Sequence, residues 1–278
     1  MKRFFSCLVT LFATSFFLWA QSGISNLDSL WIARADWHEV KLDKGLVYRH
    51  ASFKDLYGGP QQVYVFQINP RKHPLQVMVH EGRELVSEKA AAGGAVAAIN
   101  GTYFDMGKTA RSVCYTAVEG KVTDYTKNDL GLLSNGAVFI QKKKVQIVPW
   151  EVQEEKQYYA GKKDIMVSGP LMLVNGKEVD FGSNPGSHIP TPNPRSGIVV
   201  KDKKTIFLIV VDGRQPGRAS GVTIPQFAHL SRILGGREAL NLDGGGSSSL
   251  WSVFLERGVA NKPSDGRERT VSNSILVK

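Results

Sequence analysis

The residues best equipped for chemistry lie in one short run, Asn241-Leu242-Asp243-Gly244-Gly245-Gly246-Ser247-Ser248. An apolar strand-like segment ends in a carboxylate. Three glycines and three serines, the last of them Ser249, follow it directly. Consecutive glycines cost chain entropy, so they suit backbone that must turn sharply or come close to a ligand. Their N–H groups can form a nest around an anion. Asp243 would stand at a strand end, where ligand chemistry is often placed.

Three other segments end alike: Ile99 runs into Asn100-Gly101, Val211 into Asp212-Gly213-Arg214, and a proline-rich stretch into Pro194-Arg195-Ser196. If these ends converge, they build a cleft of carboxylates, guanidiniums and exposed amides. Such a cleft suits a phosphorylated substrate, because arginine presents a rigid fork to phosphate oxygens. Asp243 and Asp212 are the candidate bases or nucleophiles. Arg195 and Arg214, with the amides of Gly244, Gly245 and Gly246, are the candidate phosphate holders. Ser247 and Ser248 read as hydroxyl donors, since neither a Gly-x-Ser-x-Gly elbow nor an identifiable histidine partner accompanies them. Asn100 and Asn241 are candidate sugar-binding or loop-orienting groups, and equally strand-end caps. His188 is a candidate loop contribution.

Structural readings stand beside these. Asp-Gly pairs occur at ordinary turns, and Arg-Asp pairs often serve as bridges. No His-Glu-x-x-His or similar ligand spacing is present. No cofactor is implied with certainty. Scattered carboxylates could still gather a Ca²⁺ or Mg²⁺ ion, which needs no sequence motif.

The elements that must position these groups are mostly short strands. Residues 62–69, 75–80, 238–242 and 271–277 have strand character, and 137–140 with 144–148 read as a pair. Residues 198–200 and 205–211 form an expected hairpin. A bend is expected at Ser168-Gly169-Pro170. Helices are expected over 83–93 and 223–234, the second closed by Gly235-Gly236. Residues 181–197 form a Gly/Pro/Ser-rich loop, long enough to act as a lid or binding loop. The fold class expected is α+β (mixed α/β): a single large domain of strand-rich sheets with a few packed helices. Residues 21–94 are an expected N-terminal region packed on a main body of 95–278.

Lys2 and Arg3 precede an apolar run to Ala20, the pattern of a signal peptide over 1–20. Export to the periplasm or beyond is expected, with no stable membrane span once that segment is removed. Cys114 would then be the sole cysteine, read as a buried structural thiol. Of 35 basic residues, loss of Lys2 and Arg3 leaves 33 against 25 acidic ones, or +8. That charge suits anionic partners. No nucleic-acid-binding motif is seen, and export argues against such a partner. Lys142-Lys143-Lys144 reads as a hairpin or edge-strand tip.

These same elements make the chain resemble the phosphodiester glycosidase family. The resemblance is carried by Ala98-Ile99-Asn100-Gly101-Thr102-Tyr103-Phe104, Asn193-Pro194-Arg195-Ser196-Gly197, Val210-Val211-Asp212-Gly213-Arg214, Ser220-Gly221-Val222-Thr223, the Asp243 run, and Asn261 with Arg269-Thr270-Val271-Ser272-Asn273. It implies hydrolysis of a sugar-1-phosphodiester such as a GlcNAc-1-phosphodiester at the anomeric C–O bond. The expected partner is a phosphorylated glycan or glycolipid of a bacterial envelope or extracellular matrix. Two alternatives stay open: a metal-assisted phosphodiesterase cutting P–O, and a noncatalytic envelope protein binding anionic glycans. Oligomeric state is not legible.

Overall fold

The structure, a computed structural model, describes residues 23–278 apart from 108, 129, 159, 160 and 184. The expected signal peptide lies outside the described residues. Every paired strand is antiparallel, and three sheets result. The largest has eight strands. It joins β1 (His38–Asp43), β2 (Leu46–Leu56) and β3 (Gly59–Ile68) to β14 (Thr205–Val211) and β13 (Arg195–Asp202). Beyond these lie β15 (Glu238–Asn241), β11 (Leu171–Val174) and β12 (Lys177–Glu178). Five strands form the second: β7 (Lys121–Asp124), β6 (Thr116–Val118), β10 (Asp164–Ser168), β8 (Gly136–Gln141) and β9 (Lys144–Pro149). The third holds β16 (Leu250–Ser252), β5 (Ala97–Asn100), β17 (Val271–Val277) and β4 (Leu75–Glu84).

The α+β expectation therefore needs correcting toward a mostly β protein, with 43% of residues in strands and 15% helical. The physical reason is in the period-2 segments. Hairpins such as Ser196↔Val210 and Ile198↔Leu208 need only short turns, whereas parallel strands need helical crossovers. Strand β3 pairs with β14, and β4 with β17, so residues 59–84 share sheets with the later chain.

The central core gathers inward faces from all three sheets, including Phe66, Ile99, Val138, Met166, Val210, Leu240 and Ile275. Helices cover the outer face of the large sheet. Helix α1 (Asn26–Ala33) and helix α3 (Ile224–Ile233) bring Ile32, Phe227 and Leu230 against Val65, Phe207 and Ile209. Thr223 caps α3 in a capping box with Gln226. Gly235, at φ +93°, ends it. Phe227 lies so close to Gly197 that a Cβ there would sit 2.8 Å from the ring, so helix and hairpin are mutually fitted. Helix α2 (Val86–Ala92) packs Val86 and Ala90 on the third sheet.

Residues 165–174 divide as expected at Gly169-Pro170, a cis peptide. Strands β10 and β11 on either side enter different sheets. Lys142 and Lys143 form the β8–β9 turn. Cys114 is buried, and burial pushes its thiol up to about 12, consistent with a packing role. Among the described residues, no helix is long and apolar enough to cross a membrane.

Candidate active site

Strand β15 ends at Asn241, and the chain then enters Asp243. Its main chain is fixed on both sides. The Asp243 N–H donates to the Gly101 carbonyl at 3.0 Å, and the Asp243 carbonyl accepts from Asn100 Nδ2 at 2.7 Å. Asn100 is itself fully buried. Its Oδ1 accepts from Ser196 Oγ at 2.8 Å and from the Ser249 N–H at 3.2 Å. One side-chain amide thus links the ends of β5, β13 and β16 to the Asp243 backbone.

Past Asp243 the chain tightens into a 3-10 turn over Gly245–Ser247. Gly245 needs φ +61°, and its N–H donates to the Pro194 carbonyl at 2.9 Å. Its Cα faces the Arg214 guanidinium, where a Cβ would stand 3.2 Å from Nη2. A Cβ on Gly246 would overlap Arg269 Nη2 and Asp265 Oδ2. Two cations therefore lie directly on the glycine run.

A cleft of about 310 Å³ opens here, lined chiefly by Asp243, Gly244, Gly245, Gly246, Tyr103, His188, Asn193, Arg195, Arg214 and Arg269. Burial raises the Asp243 carboxyl to about 6, opposed by the Ser247 hydroxyl, the Gly244 N–H and the Arg269 charge. Ser247 Oγ approaches without completing a well-formed hydrogen bond, and its atom is otherwise unpartnered. Ser248 Oγ is also buried and unpartnered.

Arg195, 5% exposed, has no carboxylate partner among the described residues. Its Nε donates to the Val222 carbonyl at 3.0 Å, and its Nη2 to the carbonyls of His188 and Thr191 at 2.7 and 2.8 Å. Burial lowers its pKa to about 10, with the Arg214 charge adding to the effect. The group stays protonated at neutral pH. The 181–197 loop is wrapped on this guanidinium, which also faces the cleft. Arg214, at φ +60°, steadies Nε on Asn193 Oδ1 at 3.0 Å. Arg269 pairs with Asp265 at 2.6 Å. His188 lines the cleft, and burial followed by the Arg195 charge lowers its pKa.

Asn241 is buried beneath this site. Its Nδ2 donates to Tyr103 Oη at 3.0 Å and to the Gly169 carbonyl at 2.8 Å. Tyr103 in turn donates to Gly169 at 2.7 Å. Burial and the Asp243 charge hold the Tyr103 phenol far above its ordinary pKa.

Asp212 is not brought into this cleft. Its carboxylate, 1% exposed, meets Arg218 Nη1 at 2.7 Å, Asn261 Nδ2 at 3.2 Å and the Lys262 N–H at 3.2 and 3.3 Å. Those contacts describe a loop anchor. Among the described residues, no three His, Cys, Asp or Glu side chains gather as a metal site. Both Asp212 oxygens are engaged by donors. Arg269, Tyr103 and Asn193 line the cleft without having been singled out as site residues. All three stood inside recognised sequence elements, and only the three-dimensional closeness of 269 and 246 assigns Arg269 to the anion side.

An antiparallel β scaffold that presents one carboxyl and three guanidiniums in a single cleft has the equipment of a hydrolase for anionic esters. The chain belongs to the phosphodiester glycosidase family, which matches residues 93–278, and is by class a glycosidase acting on phosphodiester-linked sugar. The fold is similar to that of the zebrafish N-acetylglucosamine-1-phosphodiester alpha-N-acetylglucosaminidase catalytic domain, auto-inhibited by its pro-peptide. The TM-score is 0.66 at 19% identity, covering 84% of each chain. A hypothetical protein from Synechocystis is similar with TM-score 0.64 at 18% identity over 87% of this chain, and the match spans 63% of that protein. A Burkholderia pseudomallei protein named for its expected export has TM-score 0.60 at 15% identity, over 78% of this chain and 74% of its own. No curated protein matches the sequence.

Proposed function

We propose that the chain hydrolyses a sugar-1-phosphodiester at the anomeric C–O bond, releasing the free sugar and a phosphomonoester. The observation that carries this reading is the Asp243 carboxyl, raised to about 6, in the same cleft as Arg195, Arg214 and Arg269.

A departing phosphomonoester is a far better leaving group than a sugar alkoxide. It demands little protonation, so the strong general acid usual in glycoside hydrolysis is dispensable. It demands instead positive charge and hydrogen-bond donors where negative charge accumulates. The three guanidiniums and the amides of the glycine run supply both. The buried hydroxyls of Ser247, which approaches Asp243, and of Ser248, which is unpartnered, add donors beside the run. Ionised Asp243 acts at the anomeric centre. As base it takes a proton from water while the water oxygen bonds to C1. The C1–O bond breaks, and its electron pair leaves with the phosphate. Attack by the carboxylate itself would use the same position in two steps. Asn100 and Asn241 hold the strand ends that aim it.

The substrate class supported is a GlcNAc-1-phosphodiester-like linkage on a phosphorylated glycan or glycolipid of a bacterial envelope or extracellular material. Support comes from the substrate for which the zebrafish relative is named and from the excess of basic residues. The charged and apolar pattern of residues 1–20 supports export, periplasmic or secreted. The test is release of free GlcNAc from a GlcNAc-1-phosphodiester by the purified chain and by Asp243→Asn. Turnover lost in the variant, with substrate still bound, is expected. Binding without turnover by the wild type across varied sugars would favour a noncatalytic glycan-binding protein.

A further inference from the structure

A second cleft, of about 550 Å³, is lined in part by Arg267 and Glu268, next in sequence to Arg269. Tyr64, Arg218, Arg257, Asn261, Lys262 and Arg267 are among its lining residues. The same two loops serve both clefts. Residues 214–218 send Arg214 to the Asp243 cleft and Arg218 to the second. Residues 262–269 send Arg269 to the first and Arg267 to the second. The loops are tied together, since Gln215 Nε2 donates to the Lys262 carbonyl at 2.7 Å and Asp212 receives both Arg218 and the Lys262 N–H.

The charge balance of the second cleft is one-sided. Asp212 offsets Arg218. Glu268 also lines it, but its carboxylate accepts from the Ser87 N–H, Ser87 Oγ and Ser249 Oγ. Among the described residues, the exposed guanidiniums of Arg257 and Arg267 have no ion-pair or hydrogen-bond partner, and nor does the exposed Lys262 ammonium. Three cations thus face a cleft whose one acid without a cationic partner, Glu268, is held by neutral donors and offsets only part of their charge. Crowding like charges without partners is unfavourable unless an anion completes the set.

We infer that this cleft is a second anion subsite, and that the preferred substrate carries a further phosphate on the aglycone side of the bond that is cut. This inference rests on the sugar-1-phosphodiester reading above. Arg257 and Arg267 then set specificity by holding the next phosphate of a repeating sugar-phosphate chain, while Asp243 and its arginines act on the terminal linkage. Both contacts are made in ground and transition states alike, so they act on KM rather than kcat.

The test compares two synthetic substrates of the same sugar-1-phosphodiester. One has a neutral short alcohol as aglycone, and the other has that alcohol extended by one phosphate. Wild type is expected to show a KM roughly tenfold lower for the extended substrate at low salt, the size expected of two partly exposed charge contacts, with kcat unchanged. The R257A/R267A double variant is expected to lose that advantage and keep wild-type kinetics on the neutral substrate, with unchanged thermal melting. Equal KM values in wild type, or an advantage that survives in the double variant, would overturn the second subsite and leave the hydrolase reading intact. Failure of wild type to cleave either substrate would overturn the hydrolase reading, and the subsite assignment with it.

Discussion

Asn100 Nδ2 donates to the Asp243 carbonyl at 2.7 Å, across 143 residues of sequence. That single contact joins the end of β5 to the residue that follows β15, and so fixes where the Asp243 carboxyl can reach. Replacing Asn100 with Ala would leave the Asp243 carbonyl, Ser196 hydroxyl and Ser249 amide without their shared partner. A stability loss of about 2–3 kcal/mol is expected from buried polar groups left unmade. Catalysis should fall more than KM rises, because the carboxyl is misaimed rather than removed. Urea unfolding and steady-state kinetics on one preparation check both parts.

The raised pKa of Asp243 sets two pH dependences. Since the ionised form is assigned to the reaction, activity should rise tenfold per pH unit below about 6 and level off above it. Stability should run the other way. The folded carboxyl holds its proton up to about 6, and the unfolded one only to about 3.9. Between those values the native state binds more protons, so the Asp243 contribution to stability falls as pH rises through the window. Asp243→Asn should therefore melt higher than wild type at pH 7.5, by on the order of 2 kcal/mol, and match it below pH 4. Equal melting at both pH values would contradict the buried-carboxyl reading.

Arg195 has two tasks that one substitution can separate. Its Nε and Nη2 hold three main-chain carbonyls, and the same guanidinium faces the cleft. Lysine keeps the charge but cannot reproduce the fork. Arg195→Lys should raise KM at least tenfold and loosen residues 186–193, read as faster amide exchange there. Arg214→Lys should raise KM without changing exchange in that loop, since Arg214 holds only the Asn193 side chain.

Asp212 and Asp243 looked alike in the sequence, each at an apolar strand end before glycine. Their surroundings set them apart. Asp212→Ala would strand Arg218 and the Lys262 amide, and should cost about 3 kcal/mol of stability. Asp212→Asn, which keeps the shape, should retain kcat within about tenfold, whereas Asp243→Asn should lose on the order of a thousandfold. Comparable losses in kcat for the two Asn variants would return Asp212 to the chemistry.

Much of the fold was legible because its signals are local. Short runs of strand-forming residues exposed β3, β8, β9, β14 and β17, and an apolar face closed by Gly235-Gly236 marked α3. The two helices expected, over 83–93 and 223–234, both form, but they are short and the α+β expectation gave them too much weight. The exposed strand β1 has almost no apolar face, its burial being exposed at five of six positions, so no pattern announced it. At the site, Asp243, Arg195 and Arg214 were recognisable from residue type and glycine context. Arg269 was not, because its role arises from the tight approach of residue 246, a fact of packing rather than spacing. The anchoring of Asp212 likewise depends on Arg218 and residues 261–262 meeting in space.

The most direct measurement of which bond is cut is hydrolysis of a GlcNAc-1-phosphodiester by the purified chain in ¹⁸O-water, followed by mass spectrometry of both products. Label in the reducing sugar is expected, because Asp243 and the arginine-lined glycine run assign attack to the anomeric carbon and departure to phosphate. Label in the phosphate would mean attack at phosphorus, and would contradict the glycosidase mechanism in favour of a phosphodiesterase.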